Sequence, residues 1–288
     1  MITPFNRAMQ VDYAGLSENV EFQIGRGVSG LAPLGTTGES PTISGAERSK
    51  LLKSVIDKTN GRVPVIPGTG TNSTEHTVEL TKEAEDLGAD AALLVTPYYN
   101  RPSQEGIFRH FEAVSKAVDL PLMIYNIPGR TGVNIETQTL LRLSSLSNIV
   151  AVKEASGNIS QMAEVIQQLP KSFTVLSGDD GITLPLMALG GRGVVSVVSN
   201  LLPKRVCDLT IAMLAGDVKG ARDIHNRLMP IFKGAFIDTN PIPIKAAMKL
   251  AGMPAGGVRP PLCEMDAGKM EKLKELLLKY PELKRERN

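Results

Sequence analysis

Apolar and polar positions follow two alternating patterns along the first two hundred residues, and this alternation predicts a fold. Short apolar runs, many rich in β-branched residues, are separated by longer segments in which apolar residues recur every three or four positions. The first pattern is typical of strands buried on both faces, and the second of amphipathic helices. Seven runs predict strands, at residues 28–34, 63–67, 91–96, 122–125, 149–153, 173–176 and 194–198.

Strands that alternate with helices require parallel pairing and right-handed crossovers. We therefore predict an α/β fold, a (β/α)8 TIM barrel over residues 1–200. Such a barrel has eight strands, and only Met1–Thr3 is available for the remaining one, so we expect the first strand to be truncated at the N-terminus. A doubly wound open sheet is the alternative, but no Gly-x-Gly-x-x-Gly turn follows an early strand.

The pattern changes after residue 200, where helical periodicity continues without apolar strand runs. Four consecutive helices are predicted, at residues 203–216, 218–236, 241–252 and 266–280. No Ser- or Gly-rich linker precedes them. We interpret residues 201–288 as a C-terminal helical extension packed on the barrel.

Composition excludes several classes of function. The chain has 288 residues, 42% of them apolar and 22% charged, with a formal charge of +2, which argues against a nucleic-acid partner. Only residues 284–287 form a strongly basic tail, which a solvated helix end explains. The two cysteines and three histidines match no metal-ligand spacing, so we predict reduced thiols and no metal. No signal peptide or membrane-spanning run is present, which favours a cytoplasmic protein.

The strand at residues 149–153 ends in Lys153, an unusual place for a lysine. Burial disfavours the charged ammonium, and a neutral amine at the carboxyl end of a barrel strand can attack a substrate carbonyl to form a Schiff base. A lysine whose side chain reaches from the strand end to solvent is the simpler alternative. Tyr125 ends the preceding strand, where its phenol would be close enough to transfer the protons of carbinolamine formation.

Other polar residues also follow predicted strands, which places them at the catalytic rim of a barrel. The turn at residues 35–38 offers backbone N–H groups to a carboxylate, although it also fits a plain helix-capping turn. Arg130 suits a carboxylate through its planar fork, although it also fits a surface loop. Tyr98 and Tyr99 also fit aromatic residues that pack at an interface.

Five motifs together identify a resemblance that runs nearly end to end. These are Gly-Thr-Thr-Gly-Glu-Ser at 35–40, Pro-Tyr-Tyr-Asn at 97–100, Tyr-Asn-Ile-Pro-Gly-Arg-Thr-Gly at 125–132, Val-Lys-Glu at 152–154 and Ser-Gly-Asp-Asp at 177–180. In this order they closely resemble the dihydrodipicolinate synthase branch of the pyruvate-dependent class I aldolases, a family that also contains N-acetylneuraminate lyase. The resemblance implies the condensation of pyruvate with L-aspartate 4-semialdehyde, the first committed step of lysine and diaminopimelate biosynthesis.

The resemblance also implies residue roles. Lys153 forms the Schiff base with pyruvate, and no metal or organic cofactor takes part. Tyr125, Thr37 and Tyr99 form a proton relay, in which Tyr99 comes from a neighbouring subunit. Thr36 and Thr37 bind the carboxylate of pyruvate, and Arg130 binds the carboxylate of the semialdehyde. Gly178 and Val195 line the pocket through their backbones.

Two further expectations come from the resemblance. The family is usually a tetramer built as a dimer of dimers. Lysine-inhibited members carry a histidine where this chain has Arg48 and a glutamate where it has His76, so we expect weak or absent inhibition by lysine although Ser40, Asn72 and Tyr98 are retained. The alternative function is an aldolase of 2-keto-3-deoxy sugar acids or of the N-acetylneuraminate lyase type, whose corresponding loop typically lacks the arginine.

Overall fold

The structure is a computed structural model that describes residues 1–285. Within these residues four regular strands are formed, β1 (Ala92–Val95), β2 (Leu122–Asn126), β3 (Ile149–Glu154) and β4 (Thr174–Ser177). The α-helices are α1 (Tyr13–Gly25), α2 (Gly45–Thr59), α3 (Thr74–Asp86), α4 (Gln104–Ala117), α5 (Pro128–Thr131), α6 (Thr137–Leu143), α7 (Ile159–Gln168), α8 (Thr183–Ala188), α9 (Pro203–Leu214), α10 (Val218–Gly234), α11 (Ile242–Leu250), α12 (Ala267–Leu277) and α13 (Glu282–Arg285). The side chains of the basic tail at 284–287 lie outside the described residues.

Three helices begin at side-chain caps. Asp12 accepts a hydrogen bond from the Gly15 N–H at the start of α1, and Ser73 and Ser103 cap α3 and α4 in the same way. These side-chain oxygens satisfy backbone donors that lack a partner in the first helical turn. The caps therefore fix where these three helices begin.

The chain forms two compact units. Unit 2 is the continuous segment of residues 64–195, and unit 1 combines residues 1–63 with the described residues from 196 onward. The predicted boundary between a barrel at 1–200 and an extension at 201–288 stays a prediction. Within residues 1–285 no helix combines the length and apolar character needed to cross a membrane.

Unit 2 contains the parallel sheet, with its strands in the order β1, β2, β3, β4. Alternate residues along these strands face opposite sides of the sheet. One side packs Leu94, Ile124 and Val152 with residues of the helices, including Phe111 and Met162. The other side carries a small second cluster, Leu93, Met123, Tyr125 and Ala151, with Leu176 and Val195 packed against it.

Three of the seven predicted strands are not regular strands in the described structure. Residues 63–67 form no regular strand, and a single parallel bridge between Gly68 and Leu93 follows them. In residues 194–198 a single parallel bridge joins Val194 to Ser177. Residues 28–34 also form no regular strand. Pro64, Pro67 and Pro33 have no N–H to donate to a ladder, and Gly30 weakens the first run because it has no side chain to pack. The apolar pattern predicted strands that these residues cannot complete.

One position of β3 also differs from expectation. The strand was predicted to be buried on both faces, but the Val150 side chain is 39% exposed. The register shows the reason, because Leu122 pairs with Ile149 and Met123 with Ala151, which leaves Val150 without a partner at a bulge.

Unit 1 is mainly helical. It packs α1 against α2 and α9 against α10, with α11 and α12 against each other. The chain start is buried here: the Met1 ammonium donates to the Ala32 carbonyl at 2.8 Å, and the Ile2 N–H donates to Asn200 Oδ1 at 2.9 Å. Both cysteines are free thiols, as predicted.

Candidate active site

Lys153 lies at the carboxyl end of β3, directly opposite Tyr125 in the register of β2 and β3. The Nζ atom is 3.9 Å from the centroid of the Tyr125 ring. Burial lowers the pKa of Lys153 to about 8, opposed by the negative charge of Asp180 and assisted by the positive charge of Arg130. A pKa of 8 leaves about a tenth of the amine neutral at pH 7, which is the form that attacks a carbonyl.

Tyr125 is buried, at 6% exposure, on the same side of the sheet. Burial raises the pKa of its phenol above the ordinary value, opposed by the charge of Arg130, while Asp179 raises it further. The phenol therefore stays protonated at neutral pH. It can pass a proton between bound groups without becoming a stable phenolate.

Gly178 borders the Lys153 side chain. A Cβ at this position would lie 2.8 Å from Ala155 Cβ and 3.0 Å from both Cγ and Cε of Lys153. These separations are below ordinary carbon contact distance. Because residue 178 is a glycine, the Lys153 side chain can occupy this space. The role of the Gly178 backbone in lining the pocket is a separate expectation and stays a prediction. Val195 packs against the cluster that contains Tyr125.

Arg130 lies on the exposed surface of the short helix α5. It is near enough to the reacting pair that its charge lowers the pKa of both Lys153 and Tyr125. The α5 turn ends at Gly132, whose φ of 76° is a left-handed conformation that glycine adopts readily. The Gly132 carbonyl accepts a hydrogen bond from Arg101 Nε at 3.0 Å, which fixes the end of this loop.

Tyr99 points away from the protein surface, with 89% of its area exposed. Its φ is 72°, an uncommon value for a bulky residue, and Arg101 also has a positive φ of 47°. The turn is held by Asn100, whose Nδ2 donates to the Asn72 carbonyl at 2.8 Å. Backbone strain of this kind is concentrated at functional sites.

Thr36 and Thr37 lie in unit 1, in a short 3-10 turn at Thr36–Gly38. The side-chain amide of Asn240 donates to Thr37 Oγ1 at 2.9 Å, so the hydroxyl proton of Thr37 is left to serve another acceptor. The turn does not lead directly into an α-helix, because a second short 3-10 turn, Ser40–Thr42, comes before α2. The turn ends at Glu39, whose φ of 55° is again left-handed.

Glu39 belongs to an ion pair that the sequence reasoning missed. Lys245 Nζ lies 2.6 Å from Glu39 Oε1 and 2.9 Å from the Thr3 carbonyl, and both side chains of the pair are 1% exposed. The other oxygen of Glu39 accepts the Arg259 N–H at 2.9 Å. Breaking a pair this deeply buried is strongly destabilising, so Glu39 fixes the end of the turn that carries Thr36 and Thr37.

The residues missed by sequence reasoning share one property, which is that their function depends on contacts distant in sequence. Glu39 and Lys245 are 206 positions apart. A signal was nevertheless present, because charged residues in apolar surroundings are rarely buried without a partner. No group of three or more His, Cys, Asp or Glu side chains suited to a metal ion occurs in residues 1–285.

Comparison with known proteins identifies the family. Residues 1–280 match the model of the Dihydrodipicolinate synthetase family. The chain belongs to this family. It is 50% identical to a 4-hydroxy-tetrahydrodipicolinate synthase of Protochlamydia amoebophila, over 98% of this chain and 95% of that protein. It is 52% identical to the synthase of Methanocaldococcus jannaschii, over 92% of this chain and 91% of that protein.

Solved structures of family members agree with the fold. The dihydrodipicolinate synthase of Aquifex aeolicus is 46% identical and superposes with a TM-score of 0.95, over 97% of this chain and 96% of that chain. A monomeric dihydrodipicolinate synthase variant is 41% identical, also with a TM-score of 0.95, over 97% of this chain and 94% of that chain. The predicted fold class, an α/β TIM barrel with a helical C-terminal part, is therefore confirmed for this member of the family.

Proposed function

We propose that this protein condenses pyruvate with L-aspartate 4-semialdehyde to give 4-hydroxy-tetrahydrodipicolinate, the first committed step of lysine and diaminopimelate biosynthesis. The observation that carries the proposal is the pairing of Lys153, an amine with a pKa near 8, with a protonated Tyr125 whose ring is 3.9 Å from Nζ. Curated family members of similar sequence carry the name of this enzyme. The reaction class is that of a lyase of the Schiff-base aldolase type.

The neutral amine of Lys153 attacks C2 of pyruvate, and its lone pair forms the new C–N bond while the keto oxygen takes a proton. Loss of that oxygen as water from the carbinolamine leaves an imine. The Tyr125 phenol supplies and recovers these protons, because its raised pKa keeps it in the protonated form between turnovers.

Loss of a proton from the methyl carbon converts the imine to an enamine, whose carbon attacks the aldehyde carbon of the semialdehyde. The resulting alkoxide takes a proton. The amino group of the semialdehyde then attacks the imine carbon and displaces the Lys153 amine, which closes the ring and returns the enzyme to its starting state. The iminium nitrogen of Lys153 accepts the electron pair when the methyl proton is lost and returns it when the new C–C bond forms, so the lysine is the electron sink that the resemblance implies.

The remaining residue roles stay proposals. Thr36 and Thr37 hold the pyruvate carboxylate, and Thr37 and Tyr99 extend the relay. The hydroxyl proton left available by the Asn240 contact supports such a role for Thr37. Arg130 binds the second carboxylate, a role supported by its charge near Lys153.

We also propose a homo-oligomer, a tetramer built as a dimer of dimers, in which Tyr99 enters the site of its neighbour. The strained backbone and 89% exposure of Tyr99 support this arrangement, because an aromatic side chain so exposed contributes nothing to its own unit. A cytoplasmic location remains a prediction.

Borohydride reduction in the presence of pyruvate tests the chemistry. Mass spectrometry should find one pyruvyl adduct per chain on Lys153 and none in Lys153→Arg. A coupled assay with aspartate semialdehyde, run beside 2-keto-3-deoxy sugar acids and N-acetylneuraminate, then tests the second substrate. Turnover of the sugar acids in preference to the semialdehyde would overturn the proposal while leaving the Schiff base intact.

A further inference from the structure

Glu154 follows Lys153 directly in β3 and is fully buried, at 0% exposure. Successive residues of a strand face opposite sides of the sheet, so the carboxylate lies on the side away from the reacting amine. Its partner in the register is Asn126, also 0% exposed, just as the partner of Lys153 is Tyr125. β2 and β3 therefore end in two adjacent pairs of residues. The pair of Tyr125 and Lys153 carries the proposed chemistry, and the side chains of Asn126 and Glu154 lie on the opposite side of the sheet.

Two N–H donors satisfy the Glu154 carboxylate. Oε1 accepts the Ser156 backbone N–H at 2.6 Å, and Oε2 accepts Asn126 Nδ2 at 3.0 Å. Among residues 1–285 no cationic side chain forms an ion pair with it. A buried carboxylate without a cation depends on these hydrogen bonds, and each donor in turn is fixed by the acceptor-only character of the carboxylate.

Asn126 closes the base of the loop that carries Arg130. Because its NH2 must face Glu154, its Oδ1 is directed to the Ile135 N–H, which donates at 3.0 Å. The same NH2 donates to Asn134 Oδ1 at 2.9 Å. The Asn126 side chain therefore joins the two ends of the loop between residues 126 and 135, and Glu154 sets the orientation of that side chain.

The far end of the loop is fixed to a helix by the same series of amides. Asn134 Nδ2 donates to Gln161 Oε1 at 2.8 Å, and Gln161 Nε2 donates to the Ile135 carbonyl at 2.7 Å. Every amide in the series has a single orientation once Glu154 is a carboxylate. A change at Glu154 is thus transmitted to the loop and not absorbed by rotation of one amide.

We propose that Glu154 and Asn126 are positioning residues that hold the Arg130 loop in register with Lys153 and so determine the affinity for the second substrate. The inference rests on the proposed function, in which Arg130 binds the semialdehyde carboxylate. Neither residue touches a reacting atom. Their effect is confined to the second substrate because the amide series runs from Glu154 through the Arg130 loop to α7, and among the described residues none of its hydrogen bonds involves the Lys153 side chain.

Glu154→Gln tests the inference. Glutamine keeps the size of the side chain but has only one acceptor oxygen. Its NH2 group must therefore face one of the two donors, the Ser156 N–H or the Asn126 NH2, and the hydrogen bond to that donor is lost. We expect the KM for aspartate semialdehyde to rise roughly tenfold, the equivalent of one lost buried hydrogen bond. The KM for pyruvate and the rate of borohydride trapping with pyruvate should stay within about threefold of wild type.

The double variant Asn126→Asp with Glu154→Gln is the rescue. The carboxylate introduced at position 126 still accepts the Ile135 N–H and now also accepts the amide introduced at position 154, so the contact is remade with donor and acceptor exchanged. We expect much of the affinity for the semialdehyde to return, although the donation to Asn134 is lost. The matched control is Glu136→Gln, an exposed glutamate near the same loop whose KM values should both equal those of wild type.

Three results would overturn the inference: equal increases in both KM values, no change in either, or no rescue by the double variant. A shift in the pH midpoint of trapping would also overturn it, since that shift would mean that Glu154 acts on the Lys153 pKa and not on the loop. If Glu154→Gln does not fold, Asn134→Ala breaks the same series from the loop side and should give the same split. Failure of wild type to form the pyruvate adduct refutes the proposed function instead.

Discussion

A Cβ atom at residue 178 would lie 3.0 Å from both Cγ and Cε of Lys153. The side chain of Lys153 therefore occupies the space that any residue other than glycine would need. We expect Gly178→Ala to displace the amine and to lower kcat/KM for pyruvate by at least about tenfold, because misplacement of a reacting group by a fraction of an ångström is costly. Steady-state kinetics and the rate of adduct formation measure the effect.

Gly45→Ala serves as the control for Gly178→Ala, because a Cβ at Gly45 meets no atom within 4 Å and the residue lies at the start of α2. Unchanged adduct formation in Gly178→Ala would mean that the lysine has room the structure does not show. An equal loss in the control would point to a general effect on folding.

The lowered pKa of Lys153 predicts the pH dependence of trapping. The amine is protonated below its pKa, so the rate of adduct formation with pyruvate should rise as pH increases, with a midpoint near 8 and not near the ordinary value of 10.5. Arg130→Met removes a positive charge that lowers this pKa, so its midpoint should move to higher pH. A midpoint above 10 in wild type would contradict the burial of the amine.

The proposed exchange of Tyr99 between subunits predicts complementation. Tyr99→Phe and Lys153→Arg should each be nearly inactive alone. In mixed dimers of the proposed arrangement, the intact Lys153 of one chain would meet the intact Tyr99 of the other, so one of the two sites would be complete. Random mixing should restore about a quarter of the wild-type activity, since half of the dimers are mixed. If Tyr99 acted within its own chain, mixing would restore nothing.

His110 predicts a loss of stability in acid. Its ring is buried, with Nδ1 3.0 Å from Thr74 Oγ1, and burial lowers its pKa to about 4. The unfolded state, with a pKa near 6.5, binds more protons between pH 6.5 and 4, so this contribution is complete above pH 6.5 and is lost as pH falls toward 4. We expect a loss of about 2 kcal/mol by pH 5.

Chemical denaturation at pH 7.5 and pH 5 measures the effect of His110. The variant His110→Leu lacks the titrating ring, and the difference between its two free energies of unfolding should be smaller than that of wild type by the same amount. Equal differences in the two proteins would show that the ring is protonated in the folded state.

Lysine should inhibit weakly or not at all. Arg48 is buried, at 6% exposure, and its Nη1 donates to Ser40 Oγ at 3.2 Å, while His76 faces Glu79 on the surface of α3. A cation at 48 and the absence of a carboxylate at 76 both disfavour the ammonium of a lysine effector. Half-maximal inhibition below about 1 mM lysine would contradict this. The double variant Arg48→His with His76→Glu should gain sensitivity.

Local signals in the sequence predicted much of the fold and the placement of Lys153 beside Tyr125 at the ends of neighbouring strands. The caps Asp12, Ser73 and Ser103 sit directly before the helices that they begin, and Lys153 ends an apolar run whose neighbours are strands. Such features can be recognised from a few adjacent residues. The bulge at Val150 depends on which residue of β2 each residue of β3 meets, and that register is not present in either segment alone.

The missed residues of the site had partners elsewhere in the chain. Glu154 could be read only as the neighbour of Lys153, because Asn126 becomes its partner through strand pairing. Lys245 lies among apolar residues in α11, which also contains Lys249, but its partner Glu39 is too distant in sequence to be recognised. Residues 28–34 form no regular strand for a different and local reason, because Gly30 and Pro33 interrupt an otherwise largely apolar run.

The ion pair of Glu39 and Lys245 affects the order in which parts of the protein can fold during synthesis. Unit 2 is a continuous segment whose local contacts can form as soon as it leaves the ribosome, whereas Glu39 must wait for a residue synthesised 206 positions later. During that interval the turn with Thr36 and Thr37 lacks its support. The sheet that carries Lys153 can thus be complete while the turn with Thr36 and Thr37, although synthesised earlier, still lacks the ion pair that supports it, so in a nascent chain halted midway Glu39 has no cation to compensate its charge.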